Sequence, residues 1–182
     1  MRKQPALVTF GLALLVVGLA LWQLQGGGRY PTDGPLPVSG GVAVTFEAAV
    51  GKAVSWGMPL DGSEHGVAIV QRIEPEGVEG LDLLGVRLCH SSPEPRADGT
   101  YLNCAPVSSH SWPPEGVTTA EVEGTVLEGH LIGLLIGVRR QPVAPEGTIS
   151  SVRIVYTVDG VTYETVEPWS LRLVPQGALP SG

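Results

Sequence analysis

Two hydrophobic patterns divide this chain of 182 residues. From Ala6 to Trp22 the run is apolar, with Thr9 its only polar interruption, and the triplet Gly26-Gly27-Gly28 follows shortly after. Beyond it, no stretch keeps helical spacing over three turns, and Gly and Pro recur too often for long helices. What recurs instead are short apolar segments rich in Val, Ile and Thr, bounded by turn residues, which is the pattern of β-strands. Strands are predicted at Val42–Ala48, Ala53–Pro59, Val67–Ile73, Leu83–His90, Thr100–Pro106, Thr118–Leu127, Leu131–Arg139, Ile149–Val158, Val161–Val166 and Trp169–Val174.

The sharpest local pattern is Asp159-Gly160 between two alternating runs. Asp-Gly suits a type I′ turn, whose two central residues need positive φ. Counting outward pairs Val158 with Val161, Thr157 with Thr162 and Tyr156 with Tyr163. At that register Val152, Ile154, Tyr156, Val158, Val161 and Tyr163 share one face, and Arg153, Thr157, Thr162 and Glu164 the other. The sorting into apolar and polar faces supports the register independently of the turn. After Pro168, Trp169, Leu171 and Leu173 alternate inward against Ser170 and Arg172.

The segment Leu131 to Val138 contains Gly133 and Gly137 in a Gly-x-x-x-Gly arrangement. Eight apolar residues between His130 and Arg139 are far too few for a span, which takes about 20. It reads as a buried central strand in which glycine marks a bulge or a close approach. Pro-Glu-Gly occurs at Pro75, Pro114 and Pro145, too unevenly spaced for a solenoid repeat, and reads as reused turn chemistry. The many short strands predict an all-β fold, an antiparallel β-sandwich that is immunoglobulin-like in architecture only. Trp56 precedes both cysteines, so the Cys–Trp–Cys order of a true immunoglobulin domain is absent. A small β-barrel is the alternative.

The leading run predicts one N-terminal transmembrane helix. Its 17 residues reach ~25 Å as a helix against a hydrocarbon core of ~30 Å, and Trp22 can sit at the interface. Arg2 and Lys3 keep the amino end in the cytoplasm by the positive-inside rule. The run ends Leu21-Trp22-Gln23-Leu24 without an Ala-x-Ala site, which favours an uncleaved signal-anchor over secretion after cleavage. The expected organisation is a short cytoplasmic N-terminus at 1–5, the membrane helix at 6–24, a Gly/Pro-rich spacer at 25–39, an extracytoplasmic domain at 40–174 and a flexible tail at 175–182.

Charge and cysteine usage agree with export. All 18 acidic residues follow the apolar run, against nine of the 11 basic ones. Such an acidic domain is a poor match for nucleic acid or for anionic lipid. Two Lys and one Asn hint at a high-G+C, bacterial source by composition alone. Cys89 and Cys104 flank Ser91 to Gly99, a loop by every turn rule. In an oxidising compartment they would form a disulfide worth ~3 kcal/mol in the chain-entropy picture.

Candidate chemistry is sparse. His65, His90, His110 and His130 form no HxH or HExxH pattern. A metal set could be assembled from Cys89, His90, Cys104 and His110, but the spacing matches neither zinc nor blue-copper sites. Gly-x-Ser-x-Gly, Ser-x-x-Lys, calcium-loop and phosphate-loop patterns are missing. Glu121 and Glu123, two apart, would share the exposed face of a strand. No catalytic residue, metal ligand or cofactor is therefore assigned. Trp112, in a loop beside Pro113 and Pro114, is the candidate contact residue for a partner. The sequence points to a non-catalytic binding module on a membrane tether, its partner a protein or cell-envelope component. The alternatives are an extracytoplasmic hydrolase with loop-borne residues and a metal- or ligand-carrying sandwich.

Overall fold

The computed structural model describes residues 30–36, 40–60, 66–90, 112–114, 117–127 and 132–179, with backbone alone at His90 and Ile132. Among these residues no helix is long and apolar enough to cross a membrane. The leading apolar run, the predicted strand at Thr100–Pro106, and Cys104, His65, His110 and His130 lie outside them.

The described part is all-β. Its strands are β1 (Ala43–Glu47), β2 (Ala53–Leu60), β3 (Ala68–Glu76), β4 (Leu81–His90), β5 (Thr119–Ala120), β6 (Val126–Leu127), β7 (Ile132–Arg140), β8 (Gly147–Ile149), β9 (Ser151–Val158), β10 (Val161–Glu167) and β11 (Ser170–Val174). They form three sheets, ordered β1-β11-β8, β10-β9-β3-β6 and β2-β7-β4-β5. All pairings are antiparallel except β1 with β11.

The hairpin adopts the register its turn dictates. Val158 faces Val161, Thr157 faces Thr162 and Tyr156 faces Tyr163, while Asp159 and Gly160 take φ of 50° and 78°. The two tyrosine rings stack with centroids 5.7 Å apart. On the solvent side Arg153 bridges Glu76 and Glu164, tying β3, β9 and β10 together. Trp169, Leu171 and Leu173 are buried, as their alternation predicts.

Two predicted strands are each divided in the fold, for one physical reason. Ile149–Val158 breaks at Ser150, whose N–H and hydroxyl both donate to the Glu76 carbonyl. On one side β8 pairs with β11, and on the other β9 pairs with β3. Thr118–Leu127 breaks at a turn centred on Glu123 and Gly124, so β5 joins β4 while β6 joins β3. Both runs change sheets partway, the first while still extended and the second through its turn, as strands do at a corner. Glu121 consequently precedes the turn and Glu123 lies in it, so the two do not share a strand face.

One core joins the sheets. Trp56, Met58, Leu134 and Ile136 from the β2-β7-β4-β5 sheet meet Val70, Ile154 and Tyr156 from β10-β9-β3-β6, with Leu171 and Leu173 from β11. Leu36, within the expected spacer, belongs to the same cluster. The hydroxyl of Tyr156 accepts the Leu36 N–H at 3.3 Å, and the Pro31 carbonyl accepts the Glu164 N–H at 3.0 Å. Residues 31–36 thus lie against the β9–β10 hairpin.

Candidate functional site

The predicted contact residue Trp112 is half-buried, and its position follows from two glycines. β7 is the central strand of its sheet, paired with β2 on one side and β4 on the other. Gly137 of β7 stands opposite Gly85 of β4, just past a bulge at Leu83/Gly85. The pair leaves a flat slot that the indole fills. A Cβ at Gly137 would collide with the ring, and one at Gly85 would stand 3.0 Å from the indole nitrogen. Covering a cross-strand glycine pair with an aromatic ring restores the packing the glycines forgo. The ring, with Val117, packs on Cys89 and Leu135, a second small cluster outside the main core.

Cys89 is 1% exposed, its Sγ 3.2 Å from the Gly133 carbonyl oxygen. Its expected partner, Cys104, lies outside the described residues, and so do three of the four histidines. His90 ends β4. Among the described residues no three His, Cys, Asp or Glu side chains converge as metal ligands would.

A different feature carries a site geometry, at the margin where β3 and β4 face each other. β6 pairs with β3 only at Ala68 and Ile69, and the Val70 N–H and carbonyl add one more step to Thr125 and Gly124. β5 pairs with β4 only at Leu88 and Cys89. Among the described residues, the outer edges of β3 from Gln71 to Glu76 and of β4 from Leu81 to Arg87 have no strand beside them. Bulges at Val70/Arg72 and Leu83/Gly85 bend both strands there.

Two adjoining cavities occupy this margin, about 700 Å³ and 510 Å³, and Ile73 and Val86 line both. Their floor is apolar: Ile73 is buried in the core, and Val86 and Val122 pack against it. Leu83 stands at the rim, 45% exposed. The walls are acidic, with Glu121 and Glu123 beside the first cavity and Glu74 and Glu76 beside the second; among the described residues Arg72 is the one cation that lines them. Three of the carboxylates are held in place by arginines: Arg72 lies 3.3 Å from Glu74, Arg87 2.5 Å from Glu121 and Arg153 2.6 Å from Glu76. Thr125 donates to the Glu121 carbonyl at 2.7 Å, which fixes the turn carrying Glu121 and Glu123.

An apolar-floored groove between two unpaired strand edges, walled by positioned carboxylates, can bind an extended chain. Among the described residues that line it there is no nucleophile–base pair. Periodicity alone does not expose it, because each strand reads normally by itself. The signs in the sequence are the consecutive Leu83-Leu84, which breaks alternation before Gly85, and Pro75 inside a β-run, which a central strand does not tolerate. The chain matches no protein-family description, and no curated protein matches it either.

Proposed function

We propose that this chain is a membrane-tethered, extracytoplasmic binding module. The leading apolar run anchors it with the amino end in the cytoplasm. The β-domain, an immunoglobulin-like sandwich in architecture, engages a protein or cell-envelope component through the groove between β3 and β4. The observation that carries this reading is the groove itself: two strand edges that have no partner among the described residues, above a floor continuous with the core. Unpaired edges are sticky unless they are covered or used. Export is supported by the apolar run behind Arg2 and Lys3 and by the acidity of everything that follows. Joining of Cys89 to Cys104 belongs to the same reading, supported by the buried position of Cys89 and by the lack of a free thiol among the described residues.

The test places a photo-crosslinking residue at position 83 of the full-length chain in membranes of the source cell. The expected result is one discrete adduct that a control at the exposed position 161, beside the β9–β10 turn, does not give. Protease applied to the outside should remove the β-domain, and thiol titration under denaturing conditions should find both sulfurs oxidised. A full-length product that is soluble in cytosol with two reduced thiols overturns the reading.

A further inference from the structure

The groove between β3 and β4 has a chemistry specific enough to name the class of its occupant. We propose that it binds an extended, basic segment of a partner protein, about five residues long, in which Lys or Arg alternates with an apolar residue. This rests on the binding-module reading above and adds the partner's chemistry to it.

Length comes from the open edge. Arg72 to Glu76 is the stretch of β3 that faces the groove past its bulge. At about 3.3 Å per residue it matches a segment of about five residues. Pro75 has no N–H to offer an added strand, so main-chain pairing on β3 ends near Glu74. The floor sets the apolar half of the alternation. Successive side chains of an extended segment point to opposite sides, so every second one can rest on Ile73, Val86 and Val122. The walls set the basic half: among the described residues four carboxylates line the groove, and with Arg72, Arg87 and Arg153 paired to three of them the lining still keeps an excess of negative charge.

The same walls argue against other occupants. A second copy of this chain would bring the same carboxylates to the same place, and like charges across a strand pair repel. Among the described residues no three acidic side chains converge as a divalent cation would need.

The experiment titrates the full-length chain, in detergent, into a fluorescent peptide acetyl-Lys-Val-Arg-Val-Lys-Val-amide and reads anisotropy. Two control peptides carry Glu at the basic positions or Pro at the central Val. The expected result is saturable binding of the basic peptide, with both controls at least about tenfold weaker. The double variant Glu121→Gln/Glu123→Gln should weaken binding by about tenfold, and Leu83→Asn by a few-fold. Glu146→Gln, a carboxylate ion-paired with Arg172 and outside the groove's lining, should leave it unchanged. Equal binding of the acidic peptide, equal binding of the proline peptide, or an equal loss from Glu146→Gln overturns the inference. The two proposals fail separately. An adduct at position 83 whose partner contacts the groove with an acidic or helical segment sinks the basic-strand inference and leaves the binding module standing. Absence of any adduct, together with a soluble and reduced chain, sinks the module itself.

Discussion

The β10-β9-β3-β6 sheet treats its two edges in opposite ways. At the β10 edge the chain closes the ladder with its own residues 31–36. Pro31 accepts the Glu164 amide, Tyr156 accepts the Leu36 amide, and Leu36 enters the core at 4% exposure. A Cβ on Gly34 would collide with the Tyr156 hydroxyl and the Tyr163 ring, so the segment runs as close to the hairpin as a chain can. At the β3 edge the covering strand stops after Ile69, and an apolar-floored, acid-walled groove opens beyond it. Both edges present the same backbone groups to water. The chain covers one with a proline- and glycine-bearing strap, and among the described residues nothing pairs with the other past Val70. On the proposed reading the closed side serves stability and the open one binding.

The largest effect that would break this contrast is an equal response of the two sides to truncation. Leu36→Ala removes a core side chain and should cost about 2–4 kcal/mol. Leu83→Ala removes one that is 45% exposed and should stay within about 0.5 kcal/mol. Urea unfolding of both variants, with the slope checked for constancy, gives the comparison directly. Similar losses at the two positions would mean that the groove is structural.

Next in size is the slot under Trp112. Gly137→Ala drives a methyl into the indole and should cost about 1–3 kcal/mol. In a Trp112→Ala background the same change should cost much less, since the obstructing ring is gone. A double-mutant cycle without coupling would show that the ring does not rest where the glycines allow it.

The strap's anchor is a smaller matter. Tyr156→Phe deletes the acceptor for the Leu36 amide and should cost about 1 kcal/mol by thermal or urea unfolding. In the parent protein burial raises the Tyr156 phenol above its ordinary pKa of 10.0. The neutral form is therefore favoured on folding. This contribution is complete below pH 10 and fades as alkali rises through the folded value. The tyrosinate absorbance of the native protein should include one late-titrating ring that the variant lacks.

The β9–β10 hairpin was legible in the sequence, whereas the strap that closes it and the open side were not, for reasons visible at particular residues. Asp159-Gly160 fixes a turn, the turn fixes a register, and the register sorts Ile154 and Tyr156 from Arg153 and Thr157 without reference to any distant strand. The Gly-x-x-x-Gly strand also reads correctly, since Gly137 marks a close approach in a central strand. What period-two alternation does not carry is which sheet a strand belongs to. The run containing Ser150 stays extended and the run containing Gly124 turns, and both cross from one sheet to another, so each reads as one strand and folds as two. The groove is a product of the second crossing, because β5 and β6 are too short to cover β4 and β3. Trp112 shows the same limit. Its loop position is plain from Ser111 and Pro113, but the glycines that receive it are 27 and 25 positions away along the chain. Likewise the proline-rich stretch before Gly40 suggests a spacer, and only the hairpin's geometry shows that Leu36 has somewhere to go.

The smallest effect concerns a third edge, that of β1 in the β1-β11-β8 sheet. The C-terminal turn after β11, closed by the Ala178 amide on the Pro175 carbonyl, returns to the end of this strand. There the Glu47 carboxylate accepts the Leu179 N–H at 2.7 Å. The Leu179 amide first, then those of Gly177 and Ala178, hold the Glu47 carboxyl below its ordinary value of 4.5. A depressed carboxyl contributes above its unfolded pKa, and the contribution is lost as pH falls through the lower folded value. The turn should therefore stay docked at pH 5 and release only below 4.5. Glu47 is open to solvent, so the effect is local and belongs in an amide spectrum. The Leu179 amide shift should titrate with a midpoint below 4.5, and Glu47→Gln should flatten the curve without moving the core resonances. A midpoint at or above that value would mean the carboxylate does not hold the turn, and that the chain guards this edge no more than it guards β3.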